Sequence, residues 1–303
     1  MISFSMITNE NRENIISSLF DKLSFREKEM VTDIIRSFDF DDEDVEFAVA
    51  VFSGCLLVRV FDMGRYLFAF PYEVSENANV RSAIDAITEY AVREELELVF
   101  TDVPGESLSV LSGFRHMDID AEDENAESYR VRIKNECSIL TEIPGMERGR
   151  VTLNAISCSD IENYAMLCKD KNVNKYWGYD YSDDVASPSD SYFYEVMQEE
   201  FARGVSMSLA IRSDGSFCGE VVLYAFDGRG SAEFAIRLLP SYQGRGLGVE
   251  SLLAAADIAK KIGLTTLRSK VFSKNLPSIA MLKKVADEWI VDGDSLIFTI
   301  NLN

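Results

Sequence analysis

Apolar and polar positions along this chain change period repeatedly, and each change marks an element boundary. Apolar residues recur at helical spacing over 11–19 and 25–38, which predicts two helices near the start. Alternation takes over at 47–52, 55–61 and 66–70, with Ser53-Gly54 and Met63-Gly64 between them, predicting an antiparallel meander. After Pro71, Val80, Ala83, Ile84, Ile87 and Ala91 share one face of a helix over 79–94. A strand at 97–101, a short helix near Leu108 and a strand at 129–133 follow.

Pro144 and Gly145 then interrupt the pattern, which places a domain boundary there and divides the chain into 1–145 and 146–303. Beyond it, strand periods at 150–156, 206–212, 217–224, 232–238, 267–272 and 296–302 alternate with helical ones at 159–168, 191–203, 249–262 and 277–285. Gly263 suits a helix C-terminus and Pro277 a helix start. The second part thus repeats the element order of the first, without any residue-level repeat of fixed spacing. The fold class expected is α/β (α+β): two tandem domains, each a mixed, mostly antiparallel sheet flanked by helices.

Composition narrows the classes. With 303 residues, 47% of them hydrophobic and 27% charged, the chain can bury two cores. No apolar run reaches the length of a membrane span, so no membrane partner is expected, and the first residues lack the pattern of a secretory leader, so the cytoplasm is the expected location. The five cysteines (Cys55, Cys137, Cys158, Cys168, Cys218) include no Cys-x-x-Cys pair and read as reduced, mostly buried thiols. The single histidine, His116, cannot build a two-histidine metal site, so no metal is expected.

The net charge of −21 is uneven. Residues 1–145 carry 13 Lys and Arg against 30 Asp and Glu, including the run from Asp39 to Asp44, and such a surface repels a nucleic-acid backbone. Within 229–284 the balance reverses to ten basic against three acidic residues, which suits either helix-terminal lysines or a small anionic ligand.

The most informative segment is Leu238-Leu239-Pro240-Ser241-Tyr242-Gln243-Gly244-Arg245-Gly246-Leu247-Gly248, between a predicted strand and a predicted helix. Glycines let backbone amides turn inward, and a helix start adds donors and partial positive charge, so the loop could cradle a pyrophosphate. A dinucleotide fingerprint would need glycine at Val249, and a P-loop would need Lys-Ser or Lys-Thr after its last glycine; neither is present.

At these residues the chain resembles the GCN5-related N-acetyltransferase (GNAT) superfamily. Gln243-Gly244-Arg245-Gly246-Leu247-Gly248 satisfies its Arg/Gln-x-x-Gly-x-Gly/Ala signature, and Asn275-Leu276-Pro277-Ser278 resembles its Asn-x-x-Ser/Ala helix start. The resemblance spans about 150–302 and implies an acetyl-CoA-dependent N-acetyltransferase. It further implies that Gln243, Gly244, Arg245, Gly246, Leu247 and Gly248 hold the pyrophosphate of acetyl-CoA. Ile236, Arg237 and Leu238 would pair with its pantetheine through their backbone, with Asn275 and Ser278 beside that arm. The family's thiolate-protonating tyrosine falls at Leu282, and its Gly-Phe helix ending at Ala286-Asp287. Direct transfer to an amine still needs a base, for which Glu220 and Glu233 are the candidates, and Tyr224 and Tyr242 are candidate acids. Tyr176, Trp177, Gly178 and Tyr179 could wall an acceptor pocket.

The first half resembles a degenerate copy of this fold, similar to the module of phosphatidylglycerol lysyltransferases, on Tyr66-Leu67-Phe68-Ala69-Phe70-Pro71 ahead of the 79–94 helix and on Tyr129. Its loop, residues 71–79, has no glycine and carries Glu73 and Glu76, so no cofactor is expected there. The partner expected is a small-molecule amine or a peptide, not nucleic acid, with homodimer formation left open. Aminoacyl transfer from charged tRNA and a non-catalytic acyl-CoA sensor or scaffold are the competing readings.

Overall fold

The computed structural model describes residues 4–20, 25–40, 45–52, 55–62, 65–73, 80–122, 127–178, 185 and 187–302. The chain divides into two compact units, Met1–Lys134 and Asn135–Asn303. The division falls ahead of the expected boundary at 145 because residues 135–145 belong to the second unit's packing. Cys137 is buried in its core, with Leu140 and Ile143 packed against that core, and the Asn135 amide donates to the Gly204 carbonyl at 3.0 Å. Gly204 has φ +71°, and a Cβ there would lie 2.5 Å from the Ser138 Cβ, so this close approach requires glycine.

The first unit runs β1 (Ser5–Ile7), α1 (Arg12–Phe20), α2 (Phe25–Arg36), β2 (Val45–Phe52), β3 (Cys55–Asp62), β4 (Arg65–Glu73), α3 (Val80–Arg93), β5 (Val99–Pro104), a 3-10 turn (Gly105–Leu111), β6 (His116–Ala121) and β7 (Ser128–Lys134). Its strands form sheets ordered β1-β2-β3-β4 and β5-β7-β6. Strand alternation feeds two layers: Phe47, Val49, Leu56 and Val58 cluster with Ile16, Val31 and Ile35, while Ala50 and Leu57 cluster with Ala83, Ile84, Ile87 and Phe100. Two strands lie outside the expected set. β1 is only three residues long, and β6 is an edge strand whose Met117 and Ile119 alternate with His116, Asp118 and Asp120, a weak apolar signal with Ile119 itself 46% exposed.

The second unit runs β8 (Met146–Arg148), β9 (Val151–Ala155), α4 (Ile161–Lys169), α5 (Asp190–Ala202), β10 (Ser206–Ser213), β11 (Ser216–Tyr224), β12 (Ser231–Leu238), α6 (Leu247–Lys261), β13 (Thr266–Phe272), α7 (Leu276–Leu282), β14 (Glu288–Asp292) and β15 (Ser295–Asn301). One eight-stranded sheet joins them in the order β14-β15-β13-β12-β11-β10-β9-β8, parallel only between β12 and β13. Leu209, Ile211, Val221, Leu223 and Phe234 cluster with Leu252, Ala255 and Ile258 of α6. Ala210 and Phe217 cluster with Tyr164, Leu167, Phe193 and Met197 of α4 and α5. From β9 onward the element order and strand order are those of the first unit, with the 3-10 turn standing where α7 does.

Among the described cysteines Cys137, Cys168 and Cys218 are buried and Cys158 is exposed, because Cys158 opens the short 3-10 turn ahead of α4 rather than lying in a strand or on a helix's inner face. No helix of the described residues is long and apolar enough to cross a membrane, and no group of metal-ligating side chains occurs among them. Tyr179, Tyr181, residues 74–79, residues 41–44 and the two expected glycine turns at 53–54 and 63–64 lie outside the described residues.

Candidate functional site

The parallel ladder between β12 and β13 is short. It pairs Ser231, Ala232 and Glu233 with Thr266, Leu267 and Arg268 and then ends, although β12 stays paired to β11 as far as Leu238 and β13 to β15 as far as Phe272. Two strands that each continue along another partner must diverge, so the β12 backbone from Phe234 to Leu238 turns one edge toward a wedge in the sheet. Ile236 and Leu238 are half-buried along that edge. Peptide groups there have hydrogen-bonding capacity that no neighbouring strand takes up.

The Gly-rich loop leads from the end of this edge into α6. Gly244 has φ +71° and Gly246 φ +85°, and Gly246 caps the fifteen-residue α6 in left-handed conformation, immediately followed by right-handed Leu247. A left-handed residue beside a right-handed one points successive amides into one concavity, and the first amides of any helix have no carbonyl behind them. A Cβ on Gly244 would meet nothing within 4 Å, so glycine serves backbone conformation there, with the space in front left open. Gly248 answers a packing need, since a Cβ there would stand 2.9 Å from Met281 Sδ of α7.

Side chains hold the loop in place. Gln243 Nε2 donates to the Leu238 carbonyl at 2.9 Å, tying the loop to the strand end. Arg150, which the motif does not contain, donates from Nη2 to the Arg245 carbonyl at 3.0 Å while its Nε reaches Glu250 Oε1 at 2.9 Å. Arg150 is separated from the loop by most of the domain's sequence, and no spacing rule could have picked it. Asn275 caps α7 by accepting from the Ser278 amide at 3.4 Å, a structural use for that Asn-x-x-Ser pattern. Leu282 is 1% exposed in the core, so no hydroxyl stands at that position.

The carboxylates expected to act as bases occupy different surroundings. Glu233 is half-buried at the point where β12 and β13 part, directly across the β11–β12 ladder from Tyr224. Burial, then the charge of Glu233, raises the Tyr224 pKa, so its hydroxyl stays protonated. Glu220 is 1% exposed, and its oxygens accept from Tyr164 Oη at 2.8 Å and Arg237 Nε at 2.8 Å. Both oxygens are thereby engaged in a closed structural pair, which is a poor arrangement for collecting a proton from a substrate.

That pair belongs to a larger buried network. Arg237 lies on the β12 face opposite the α6 core, and its guanidinium also reaches Asn174 Oδ1 at 2.5 Å and Cys168 Sγ at 3.1 Å and stacks 4.1 Å from the Trp177 ring centre. Asn174 in turn donates to the carbonyls of Leu167, Cys168 and Asp170, closing the end of α4. Burial would lower the Arg237 pKa, but Glu220 overrides it and keeps the guanidinium charged. Burial drives the Cys168 thiol up to about 12 and raises Tyr164 well above the usual phenol range. Tyr164 and Cys168, one turn apart on α4, were the available sequence signal: polar groups on an otherwise apolar helix face need buried partners. The local excess of positive charge is thus partly spent on structure, since Lys260 and Lys261 end α6 and Lys270 pairs with Asp292 at 2.8 Å.

Residues 150–286 match the family model described as an acetyltransferase (GNAT) domain. The second unit carries a GNAT acetyltransferase domain. Among solved structures, spermidine N-acetyltransferase from Vibrio cholerae in complex with CoA and spermine is similar at 18% identity, over 50% of this chain and 96% of its own, with a TM-score of 0.43. RimJ from Mycobacterium smegmatis in complex with CoA-disulfide is similar at 17% identity, over 52% and 86%, with a TM-score of 0.43. An acetyltransferase from Agrobacterium tumefaciens is similar at 20% identity, over 54% and 97%, with a TM-score of 0.43. No curated protein matches the chain. The wedge, the Gly-rich loop and the Glu220–Arg237 pair all lie within the matched GNAT segment.

Proposed function

We propose that the second unit transfers the acetyl group of acetyl-CoA to a primary amine of a small molecule or peptide. The observation that carries this is the parting of β12 from β13 immediately ahead of a left-handed glycine cap on α6. An extended amide-bearing arm fits along an unpaired strand edge, and a pyrophosphate fits an amide concavity at a helix start, so one elongated ligand satisfies both features. On this reading Gln243 to Gly248 hold the diphosphate and Ile236 to Leu238 the amide arm. Asn275 and Ser278 then shape the start of α7 rather than spending side-chain atoms on the ligand.

Acetyl-CoA supplies an activated acetyl group, and the transfer forms a C–N bond, breaks the C–S bond and releases one proton from the amine. Glu233, at the vertex of the wedge and across the ladder from Tyr224, accepts that proton directly or through water. Glu220 has a structural role instead. With Leu282 buried and the Tyr224 pKa raised, the leaving sulfur takes its proton from solvent.

The first unit, with the same element order and an acidic sequence in place of the glycine loop, binds no acetyl-CoA and serves packing, substrate gating or dimerisation. Its net negative charge disfavours charged tRNA as a substrate.

Calorimetric titration with acetyl-CoA, beside a Gly246→Glu variant, tests the reading. One saturable site in the wild type and none in the variant, followed by acetylation of a polyamine or an unblocked peptide, is the expected result. Binding without turnover across such amines would instead identify an acyl-CoA sensor, the outcome that the buried Leu282 favours. A folded wild type that does not bind would overturn both.

A further inference from the structure

The buried pair on the far face of β12 bears on how the amine is received. Arg237 belongs to the strand segment that borders the wedge, but its side chain crosses to the α4 side of the sheet. There a single guanidinium touches four groups: Glu220 at 2.8 Å, Asn174 at 2.5 Å, Cys168 at 3.1 Å and the Trp177 ring at 4.1 Å. Glu220 is supplied by β11 and is itself oriented by Tyr164. The segment so held, Asn174–Trp177, also reaches the end of β13: Tyr176 Oη donates to the Lys274 carbonyl at 3.5 Å, and its ring lies 6.2 Å from that of Phe272. It therefore spans from one arm of the wedge, β12, to the other, β13.

A packing role alone does not explain why a charge is used. Apolar residues of similar volume fill such sites as well as or better than an ion pair. A planar guanidinium, however, can fix a carboxylate, an amide oxygen and an indole face in one geometry, which no aliphatic side chain can do. The indole gains a fixed orientation from the stacking, which is stronger where the cation is desolvated, and Arg237 is only 9% exposed.

We propose that Arg237 is a positioning residue for the amine acceptor: paired with Glu220, it fixes Asn174–Trp177 across the wedge so that Trp177 and Tyr176 form the wall against which the amine is placed. The inference rests on the acetyl-transfer reading of the same site. It places the amine on the α4 face of the sheet and assigns neither Arg237 nor Glu220 to proton transfer.

Two variants test it. Glu220→Leu/Arg237→Met removes both charges together, leaving no lone buried charge, and Trp177→Leu removes the stacked ring without touching either core cluster of the unit. The first readout needs no catalysis. Trp177 and Trp289 are the two tryptophans, so in a Trp289→Phe background emission reports on Trp177 alone. Removing the pair is expected to shift that emission to the red and raise its quenching by acrylamide while far-ultraviolet circular dichroism stays unchanged. Unchanged emission and quenching would overturn the holding role.

The second readout uses acetyl-CoA with spermine and with an unblocked peptide as acceptors. Trp177→Leu is expected to raise KM for the amine by about tenfold with KM for acetyl-CoA and its calorimetric Kd unchanged, and the pair variant to raise KM for the amine several-fold more than KM for acetyl-CoA. Equal rises in both KM values would overturn the proposal, since they would mean that the disturbance runs along β12. If the wild type binds acetyl-CoA but acetylates neither amine, the acceptor wall is overturned and the quenching result still decides the holding role. Failure of the wild type to bind acetyl-CoA defeats the acetyl-transfer reading instead, and is read separately by calorimetry.

Discussion

The Glu220–Arg237 pair makes a sharp energetic prediction. The two side chains are 2% and 8% exposed, so each depends on the other for the solvation that water no longer provides. Replacing one alone, as Glu220→Leu or Arg237→Met, leaves the other charge buried and uncompensated, at a cost of about 3–5 kcal/mol each. Replacing both removes the two charges together. What remains lost is the Tyr164 hydroxyl's acceptor, the donor to half-buried Asn174 and the stack on Trp177, together about 1–3 kcal/mol. The cycle should therefore be strongly non-additive, the double variant being more stable than the sum of singles by about 3 kcal/mol or more. Urea unfolding followed by tryptophan emission suits the measurement, because Trp177 and Trp289 both lie in the second unit and report on its unfolding alone. Additivity within about 0.5 kcal/mol would refute the claim that the two charges are mutually solvating.

Other expectations follow from local geometry. A Cβ on Gly219 would lie 2.2 Å from the Arg237 carbonyl and 2.8 Å from the Leu238 Cα, both backbone atoms of β12, so Gly219→Ala should cost about 3 kcal/mol or more and weaken acetyl-CoA binding by shifting the wedge; unchanged calorimetry would contradict this. Asp160 would have its pKa raised by burial, but hydrogen bonds from Arg212 and Ser157 outweigh this and lower it. Its stabilising contribution is therefore present above the ordinary carboxylate pKa and lost as pH falls through the depressed folded value. Asp160→Asn should cost about 2 kcal/mol at pH 7 and flatten the acid limb of the stability profile, as read by urea midpoints between pH 7 and pH 3. Burial drives the thiols of Cys137 and Cys168 up to about 12, so at pH 8 a thiol reagent should label exposed Cys158 while sparing both until the unit is unfolded, as mapped by mass spectrometry.

Periodicity made the fold class, the α6 stripe and the meander of β2 to β4 legible, because each element's apolar spacing reflects the face it buries. The Gly-rich loop ahead of α6 was legible for a related reason. Its conformation needs glycine at positive φ within a few consecutive residues, and local backbone demands are written locally. The short strand β1 and the edge strand β6 were not readable, one because three residues carry no period and the other because an edge strand's exposed apolar residues and charges blur it. The division after Lys134 escaped for a different reason, since a chain segment joins whichever core its side chains enter, and Cys137 enters the second. The sorting of the carboxylates was beyond the sequence altogether. Glu220 and Glu233 occupy similar strand contexts, and only the arrival of Arg237 and Tyr164 on one, and the parting of β12 from β13 at the other, separates a structural ion pair from a candidate base. Distance in space decides such roles, and it depends on contacts between residues far apart along the chain, such as Arg150 with the Arg245 carbonyl and Arg237 with Trp177.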